Sequence, residues 1–533
     1  MTVTSEPGTG TGGGVGLPPS LTPALVAELT GMVPASGAAP PVVTRAPFDG
    51  TVLAELPQCS PDDVRAAAER AREAQRRWAA TPVAERAAVV LRLHDLVLAE
   101  QRRIMDLIQA ENGKARRDAF LEVADIAVTC RYYGRRAAAL LRPRRRRGLV
   151  PGLTVVHEHH HPKGVVVVIS PWNYPFSLAV GDTVPALLAG NAVVQKADNQ
   201  TALTALFGLR LAREAGLPAD LWQIVLGRGG VIGDALVDEA EFLMFTGSTE
   251  SGRAVAAAAG RRLIDCSLEL GGKNAMLVLD DADIGRAVEG GVRACFSSSG
   301  QLCISAERLL VADAVYDRFV PRFVEAVRSL PMGAAYDFRY RMGSLTTAEQ
   351  LEATRRHVDE AVAAGATVLA GGRHRPDLGP LFFEPTVLTD VHEGMACFAE
   401  ETFGPVVSVY RVADDDEAVA RANDTRYGLN ASVWSRSARR GAAVATRLRA
   451  GTVNVNEAYA PAWGSVDAPM GGMGDSGLGR RHGAYGLLKY TEAQTVARQR
   501  LANLTPPVAA LGDEGYAAVL SASLRALKRI GWR

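Results

Sequence analysis

The segment Val165-Val-Val-Val-Ile-Ser170, followed by Pro171-Trp-Asn-Tyr-Pro175, decides the fold class of this chain. An uninterrupted apolar run of this length is typical of a strand buried on both faces, as in a parallel sheet covered by helices. Short apolar runs and helical stretches alternate after it, which predicts an α/β fold. The further strands are predicted over Ala192–Lys196, Gln223–Leu226 and Glu241–Phe245, and the helices over Thr201–Ala215 and Val231–Asp238.

A second α/β pattern follows Cys303 and predicts a second domain. The chain of 533 residues exceeds the roughly 250–300 residues at which one core stops growing. Before the first sheet, Pro47-Phe-Asp-Gly50 predicts a hairpin, Ser60-Pro61 starts a helix, and Thr81-Pro82 starts another that runs to Asn112-Gly113. The second pattern comprises strands at Arg308–Ala312, Thr367–Leu369 and Gly451–Asn456, with a helix over Tyr316–Leu330.

Composition and charge exclude several functional classes. The 59 basic and 58 acidic residues give a formal net charge of +1, which provides no general attraction for nucleic acid or an anionic membrane. Six scattered cysteines without a CxxC pair favour a reducing compartment. The sequence shows neither an 18-residue apolar run nor a signal-peptide pattern, so we expect a cytoplasmic protein without stable membrane insertion. The arginine run 144–147 is interpreted as a solvated loop, with an anion or partner patch as the alternative.

The loops after the predicted strands carry the candidate ligand contacts, because parallel sheets bind ligands beyond the carboxyl ends of their strands. Asn173, held between two prolines, either donates its side-chain amide to an oxyanion or only satisfies the turn. Lys196 ends the second strand, where it either reaches a ribose or phosphate or lies exposed. Gly229 belongs to a glycine-rich turn that is weak evidence alone, and Ser248 fits either a helix cap or a pyrophosphate site.

Cys303 and Glu269 form the candidate catalytic pair. Cys303 lies in the small-residue run SSSGQLCIS at 297–305, and Glu269 lies in LELGGKN at 268–274. A thiol nucleophile with a separate carboxylate base is the combination that carbonyl chemistry through a thioester requires.

Together these motifs resemble the NAD(P)-dependent aldehyde dehydrogenase superfamily, from about Val42 to Arg500. The matching stretches are PWNYP, FTGSTE, LELGGKN, GQLCIS, EETFGP, PMGGMGDSGLGR and Lys489-Tyr-Thr-Glu492. Residues 293–308 and 463–483 look most like the actinobacterial succinate-semialdehyde dehydrogenase group. The resemblance implies a Rossmann-type cofactor domain, an α/β catalytic domain and a β extension that forms homodimers or homotetramers.

The domain boundaries follow from the same resemblance, with a flexible tail at the N-terminal end and a second tail at the C-terminal end. The second tail is expected to contain an amphipathic helix that docks on the protein's own surface, with membrane contact as the alternative. The predicted parts are a tail at 1–39, the NAD(P)-binding domain at 40–147 and 164–271, the oligomerisation extension at 148–163 and 484–503, the catalytic domain at 272–483, and a tail at 504–533.

The resemblance also implies a role for each candidate residue. Cys303 would be the nucleophile, its own N–H and the Asn173 amide would hold the oxyanion, and Glu269 would activate the hydrolytic water. No metal is needed, and the histidines at 157 and 159–161 are interpreted as a surface cluster. The implied cofactor contacts are Trp172, Asn173, Lys196, Ala197, Asp198, Asn199, Gly229, Gly247, Ser248, Leu270, Glu401 and Phe403.

Two departures from the family pattern concern the cofactor and the substrate. Relatives that prefer NAD often have a carboxylate where this chain has Asn199, so NADP is favoured here, although the neighbouring Asp198 can act as a substitute. Better-known succinate-semialdehyde dehydrogenases have an arginine for the distal carboxylate where this chain has Gly181. The expected activity is oxidation of succinate semialdehyde. The alternatives are an aromatic or aliphatic aldehyde, or a non-catalytic oligomeric binding protein.

Overall fold

The computed structural model describes residues 15–148, 154–500 and 512–531. These residues divide into two compact units, the larger of which contains the two large sheets. The smaller unit contains a three-stranded sheet and the last helix. No helix in the described ranges has the length and apolar character needed to cross a membrane.

The helices and strands are numbered here in chain order. The helices are α1 (Pro23–Thr30), α2 (Pro61–Ala80), α3 (Val83–Ala99), α4 (Gln101–Asn112), α5 (Arg116–Leu141), α6 (Pro175–Leu188), α7 (Ala202–Glu214), α8 (Gly229–Glu239), α9 (Thr249–Arg262), α10 (Ile284–Phe296), α11 (Asp313–Arg328), α12 (Ala348–Ala363), α13 (Ala396–Ala399), α14 (Asp415–Asn423), α15 (Ala438–Ala445), α16 (Ala460–Gly464), α17 (Gly483–Leu488) and α18 (Gly512–Arg529). The strands are β1 (Ala39–Arg45), β2 (Val52–Gln58), β3 (Arg144–Arg146), β4 (Thr154–Pro162), β5 (Val165–Ile169), β6 (Ala192–Lys196), β7 (Trp222–Val225), β8 (Phe242–Thr246), β9 (Asp265–Glu269), β10 (Asn274–Val278), β11 (Ala306–Ala312), β12 (Thr367–Ala370), β13 (Thr386–Thr389), β14 (Val406–Val412), β15 (Asn430–Trp434), β16 (Thr452–Val455), β17 (Gly477–Leu478) and β18 (Thr491–Gln499).

The first large sheet has the order β17-β9-β8-β5-β6-β7, and all of its pairs are parallel except β17 with β9. Its central strand β5 is the apolar run predicted from sequence, and Val165–Val168 are almost completely buried. The polar loops at the carboxyl ends of these strands therefore lie along one edge. The second large sheet has the order β12-β13-β14-β11-β10-β15-β16. The α/β fold predicted from the alternating pattern is confirmed.

The predicted flexible tail up to residue 39 is wrong for its described part. Helix α1 begins at a proline after the N-cap Thr22, whose side chain accepts the N–H of Leu25. Leu25 and Leu29 on this helix are buried, so apolar contacts fix a segment that the sequence analysis assigned to the tail. Residues 1–14 lie outside the described ranges.

The arginine run does not form the predicted solvated loop. Arg144–Arg146 form strand β3, which pairs antiparallel with β4, so these residues belong to the three-stranded sheet β18-β4-β3 instead of the cofactor domain. Arg146 forms a 2.6 Å ion pair with Glu158 of β4. The cross-strand carboxylate explains why consecutive arginines are stable in a strand.

Three further boundaries differ from the prediction. Strand β17 was expected in the catalytic domain, but it pairs with β9 at the edge of the first large sheet. Helix α17 was expected in the extension, but it belongs to the larger unit, where Leu487 is fully buried. The single helix expected after Thr81 is divided into α3 and α4, although it ends as predicted, with Gly113 in the left-handed conformation.

Candidate active site

Cys303 and Asn173 lie where two cavities of the larger unit meet, and both residues line both cavities. The first, here called the strand-end cleft, lies at the carboxyl ends of β5, β8 and β9 and measures about 720 Å³. The second, here called the α6 cavity, lies along α6 and measures about 690 Å³.

A strained turn fixes the position of Cys303. Ser298, Ser299 and Gly300 all have left-handed φ angles of 51°, 57° and 73°. Such strain persists only where the surroundings hold it, and here the Ser298 N–H donates to buried Asp118 at 2.8 Å. The Cys303 carbonyl accepts a 2.8 Å hydrogen bond from the Asn274 side chain. The backbone that carries the thiol is therefore anchored both in the preceding turn and at Cys303 itself.

The Cys303 thiol is protonated at neutral pH. Burial raises its pKa to about 12, and the nearby Glu401 carboxylate raises it further, whereas Arg481 acts in the opposite direction. Because the thiolate is the nucleophile, attack on a carbonyl requires that this proton be given up.

The buried ion pair of Lys114 and Glu122 stabilises the loop that contains Asn173. The Asn173 side-chain amide donates to the Gln301 carbonyl at 3.1 Å, in the turn before Cys303. The Asn173 carbonyl accepts a 2.6 Å hydrogen bond from Lys114, which pairs with Glu122 at 2.7 Å; both charged side chains are fully buried. Lys114 and Glu122 were missed from sequence because they lie in or before a helix without any motif.

Glu269 has the environment of a base that works near neutral pH. It ends β9 at the wall of the strand-end cleft and is only 5% exposed. Burial raises its pKa to about 7, and Arg481 and Lys489 oppose that shift. Its Oε1 atom is buried without a hydrogen-bond partner among the described residues. A buried oxygen in this state is available to a water or substrate proton.

The loop that contains Glu401 and Phe403 forms one wall of the strand-end cleft. Trp172 and Phe403 face each other edge-to-face at 5.6 Å, and Glu401 accepts the Gly272 N–H at 2.9 Å. Glu307 supports this loop by accepting the N–H groups of residues 402 and 403 at 3.0 and 2.9 Å. Gln350, which also lines the cleft, donates to the carbonyls of the same two residues. Gln350 was not predicted, since the first turn of an ordinary helix gives no signal in the sequence.

The other predicted cofactor residues lie at two distances from this cleft. Gly247, Ser248 and Leu270 line it, and Ser248 caps α9, so the first turn of that helix borders the cleft. Five residues do not line it, although they lie at the carboxyl ends of the adjacent strands β6 and β7: Lys196, Ala197, Asp198, Asn199 and Gly229. The Asn199 side-chain N–H donates to Gln58 at 3.0 Å, and Asp198 caps the turn that follows β6.

The chemistry of the strand-end cleft fits a nicotinamide dinucleotide. A capped helix N-terminus suits a pyrophosphate, a carboxylate at Glu401 suits ribose hydroxyls, and the Trp172 and Phe403 rings suit a flat apolar ring system. Among the described residues no group of three or more His, Cys, Asp or Glu side chains could hold a metal ion. His157, His159 and His161 follow one face of β4, with neighbouring ring centroids 6.3 and 6.4 Å apart.

The α6 cavity contains charged groups that the sequence analysis did not single out. Arg481 forms a 2.6 Å ion pair with Asp182 and donates to the Thr246 hydroxyl at 2.6 Å. Lys489 also lines this cavity, as does Gly181, the position where an arginine was expected. Asp182 and Arg481 are 299 positions apart, so no local pattern relates them.

Comparison with known proteins identifies the family. The model of the aldehyde dehydrogenase family matches residues 34–496. The chain belongs to this family. A protein of Mycolicibacterium smegmatis named "putative succinate-semialdehyde dehydrogenase (NADP+)" is 53% identical over 486 residues, covering 91% of this chain and 94% of that protein. The succinate-semialdehyde dehydrogenase (NADP+) of Deinococcus radiodurans is 37% identical over 460 residues, covering 86% of this chain and 94% of that protein.

Solved structures of aldehyde dehydrogenases share the fold. An NADP-dependent enzyme of E. coli has a TM-score of 0.84 at 32% identity, covering 88% of this chain and 96% of that one. An NAD-dependent aldehyde dehydrogenase from Sinorhizobium meliloti has the same TM-score and identity, covering 89% and 94%. The sequence-based prediction of an aldehyde-dehydrogenase-like fold is therefore confirmed.

Proposed function

We propose that this aldehyde dehydrogenase oxidises succinate semialdehyde to succinate with NADP⁺. The observation that carries the chemistry is the position of Cys303 and Asn173 at the meeting point of the two cavities, one suited to a dinucleotide and the other to an aldehyde. The names of the relatives support the substrate and the cofactor. The neutral Asn199 also supports NADP⁺, since it does not repel a 2′-phosphate as a carboxylate does.

In the proposed mechanism the Cys303 thiol gives up its proton to the solvent, and the resulting thiolate adds to the carbonyl carbon of an aldehyde in the α6 cavity. Asn173 and the Cys303 N–H stabilise the resulting oxyanion, and Asn173 exchanges its hydrogen bond with Gln301 for one with that oxygen. The bound cofactor supplies the hydride acceptor. Glu269 then takes a proton from a water that attacks the thioester, which releases the carboxylate and restores the thiol.

A second candidate substrate class is an aromatic aldehyde. The α6 cavity contains the rings of Tyr174 and Trp463, whose centroids lie 6.1 Å apart in an edge-to-face contact. Aromatic walls of this kind favour flat apolar ligands.

A steady-state screen separates the candidates. Succinate semialdehyde, butanal and benzaldehyde are each tested with NADP⁺ and NAD⁺, and the reduced cofactor is followed by absorbance. We expect the highest kcat/KM for succinate semialdehyde with NADP⁺ and no reduction by the Cys303→Ala variant. A preference for benzaldehyde would refute the substrate assignment, and unchanged activity in Cys303→Ala would refute the mechanism.

We also propose that the chain forms a homo-oligomer in the cytoplasm. The resemblance that implies a β extension supports this, and the three-stranded sheet of the smaller unit corresponds to that extension. Analytical ultracentrifugation tests the assembly, and a single species with the mass of one chain would refute it.

A further inference from the structure

Lys489 lies in the wall of the α6 cavity and forms no ion pair with a carboxylate in the described ranges. Its Nζ contacts the Met244 sulfur and the Ser267 hydroxyl, both at 3.2 Å. Burying a charge that lacks a counter-ion costs free energy, so such a group is expected where a ligand completes the pair.

Arg481 provides a second set of free donors on the same wall. One of its terminal nitrogens is occupied by Asp182 and Thr246. Its Nε is buried and has no hydrogen-bond partner among the described residues. Asp182 forms a direct ion pair with Arg481, whereas Lys489 forms none with a carboxylate in the described ranges.

We propose that Lys489, assisted by the free Nε of Arg481, binds the distal carboxylate of a short semialdehyde in the α6 cavity. This rests on the proposed function and names the group that distinguishes the substrate from an uncharged aldehyde. Helix α6 contributes Gly181 and Asp182 to this cavity, a residue without a side chain and an acid. The cation for a substrate carboxylate must therefore come from a different element, and residues 481–489 supply it.

The rest of the cavity fits a molecule with an aldehyde at one end and a carboxylate at the other. Cys303 and Asn173 provide the reactive end, while Tyr174, Leu302 and Trp463 provide apolar surface for the methylene groups. A carboxylate bound to an ammonium forms a charge-assisted hydrogen bond, roughly twice as strong as a neutral one.

The other titratable groups around Lys489 set the pH range of this interaction. Burial lowers the pKa of Lys489 to about 8 and raises that of Asp125, in the same cavity, to about 7. Burial lowers the pKa of His482 to about 3, so that ring is neutral. Asp182 and Glu269 are the remaining acids that act on Lys489. Above pH 8 the lysine loses its charge while Asp125 is ionised, and both changes weaken carboxylate binding.

The test compares two four-carbon aldehydes that differ in the carboxylate. For Lys489→Met we expect the ratio of kcat/KM for succinate semialdehyde to that for butanal to fall about 10- to 100-fold, mainly through KM. Lys489→Arg retains the charge and should keep most of the ratio. Arg261→Met removes an exposed positive charge at the end of α9 and is the control for net charge, with an unchanged ratio expected.

Three outcomes separate the hypotheses. An equal loss with both aldehydes in Lys489→Met would overturn the proposal and assign the lysine to packing. If Lys489→Met does not fold, the wild-type pH profile decides: KM for succinate semialdehyde should rise above pH 8 while KM for butanal does not, and parallel profiles would overturn the proposal. A wild-type enzyme that prefers butanal would instead refute the proposed substrate.

Discussion

The strand-end cleft and the α6 cavity meet at Cys303, yet they are built in different ways. The cleft consists of short loops that follow successive strands, so its residues occur in compact motifs such as FTGSTE and LELGGKN. The α6 cavity joins side chains from α5, α6 and the segment 481–489, which are far apart in the chain. The residues of the cleft can be recognised from local motifs and those of the cavity cannot, which is why the reaction is easier to predict than the substrate.

The largest effect is expected from a substitution that tests whether Glu269, in the strand-end cleft, is the base for thioester hydrolysis. Glu269 lines the cleft and not the α6 cavity. In Glu269→Gln we expect steady-state turnover to fall about 10²- to 10⁴-fold, the usual contribution of a general base, while a stoichiometric burst of reduced cofactor persists. Rapid-mixing absorbance measures both phases.

Glu214→Gln makes the same substitution at the exposed end of α7 and should leave both phases unchanged. If Glu269→Gln loses the burst as fully as the turnover, Glu269 also accepts the Cys303 proton. Glu269 would then act in the attack on the aldehyde as well as in hydrolysis of the thioester, and its role would not be limited to the hydrolytic step.

The pH dependence of kcat is a second test of Glu269 as the base for hydrolysis. Because burial raises the pKa of Glu269 to about 7, its basic form accumulates as the pH rises through 7 and disappears below it. Where hydrolysis limits turnover, kcat should fall about tenfold for each pH unit below 7 and level off above it. The measurement is kcat at saturating butanal between pH 5.5 and 8, and an inflection that survives in Glu269→Gln would assign it to another group.

The smallest effect is expected at Asn199, which follows β6 and is proposed to lie near the 2′-phosphate of NADP⁺. In Asn199→Glu we expect the NADP⁺/NAD⁺ ratio of kcat/KM to fall about five- to tenfold, the effect of a repulsion of about 1 kcal/mol between a carboxylate and a 2′-phosphate. Asn199→Gln disturbs the hydrogen bond between residue 199 and Gln58 without adding a charge, and it serves as the control. An equal change in both variants would attribute the effect to the lost hydrogen bond with Gln58.

The sequence predicted the fold wherever one element carried its own signal. The apolar run of β5, the caps at Ser60 and Gly113 and the motifs around Cys303 each act within a few residues. The prediction failed where a contact between distant segments determines the structure. Helix α1 is fixed by burial of Leu25 and Leu29, and β3 is stabilised by a carboxylate on the neighbouring strand.

The same limit applies to the candidate site. Asn173, Glu269 and Cys303 were identifiable from their motifs, and the structure places all three around the strand-end cleft. Lys489 lies in one of the matching stretches, but nothing in that stretch assigns it a role, and Arg481, the second of two arginines, looks like an ordinary surface residue. Their significance appears only when folding brings them to a cavity that also contains Gly181 and Asp182.

Strand β3 has a consequence for handling the protein. It forms one edge of the described three-stranded sheet, and an exposed edge is a template for aggregation. Arg145 is exposed on that edge, and Glu158 pairs with Arg146, so two copies that approach by their β3 edges bring the like charges of Arg145 together. Concentrated salt screens this repulsion within a few ångströms, so association along the β3 edge should become easier as the ionic strength rises.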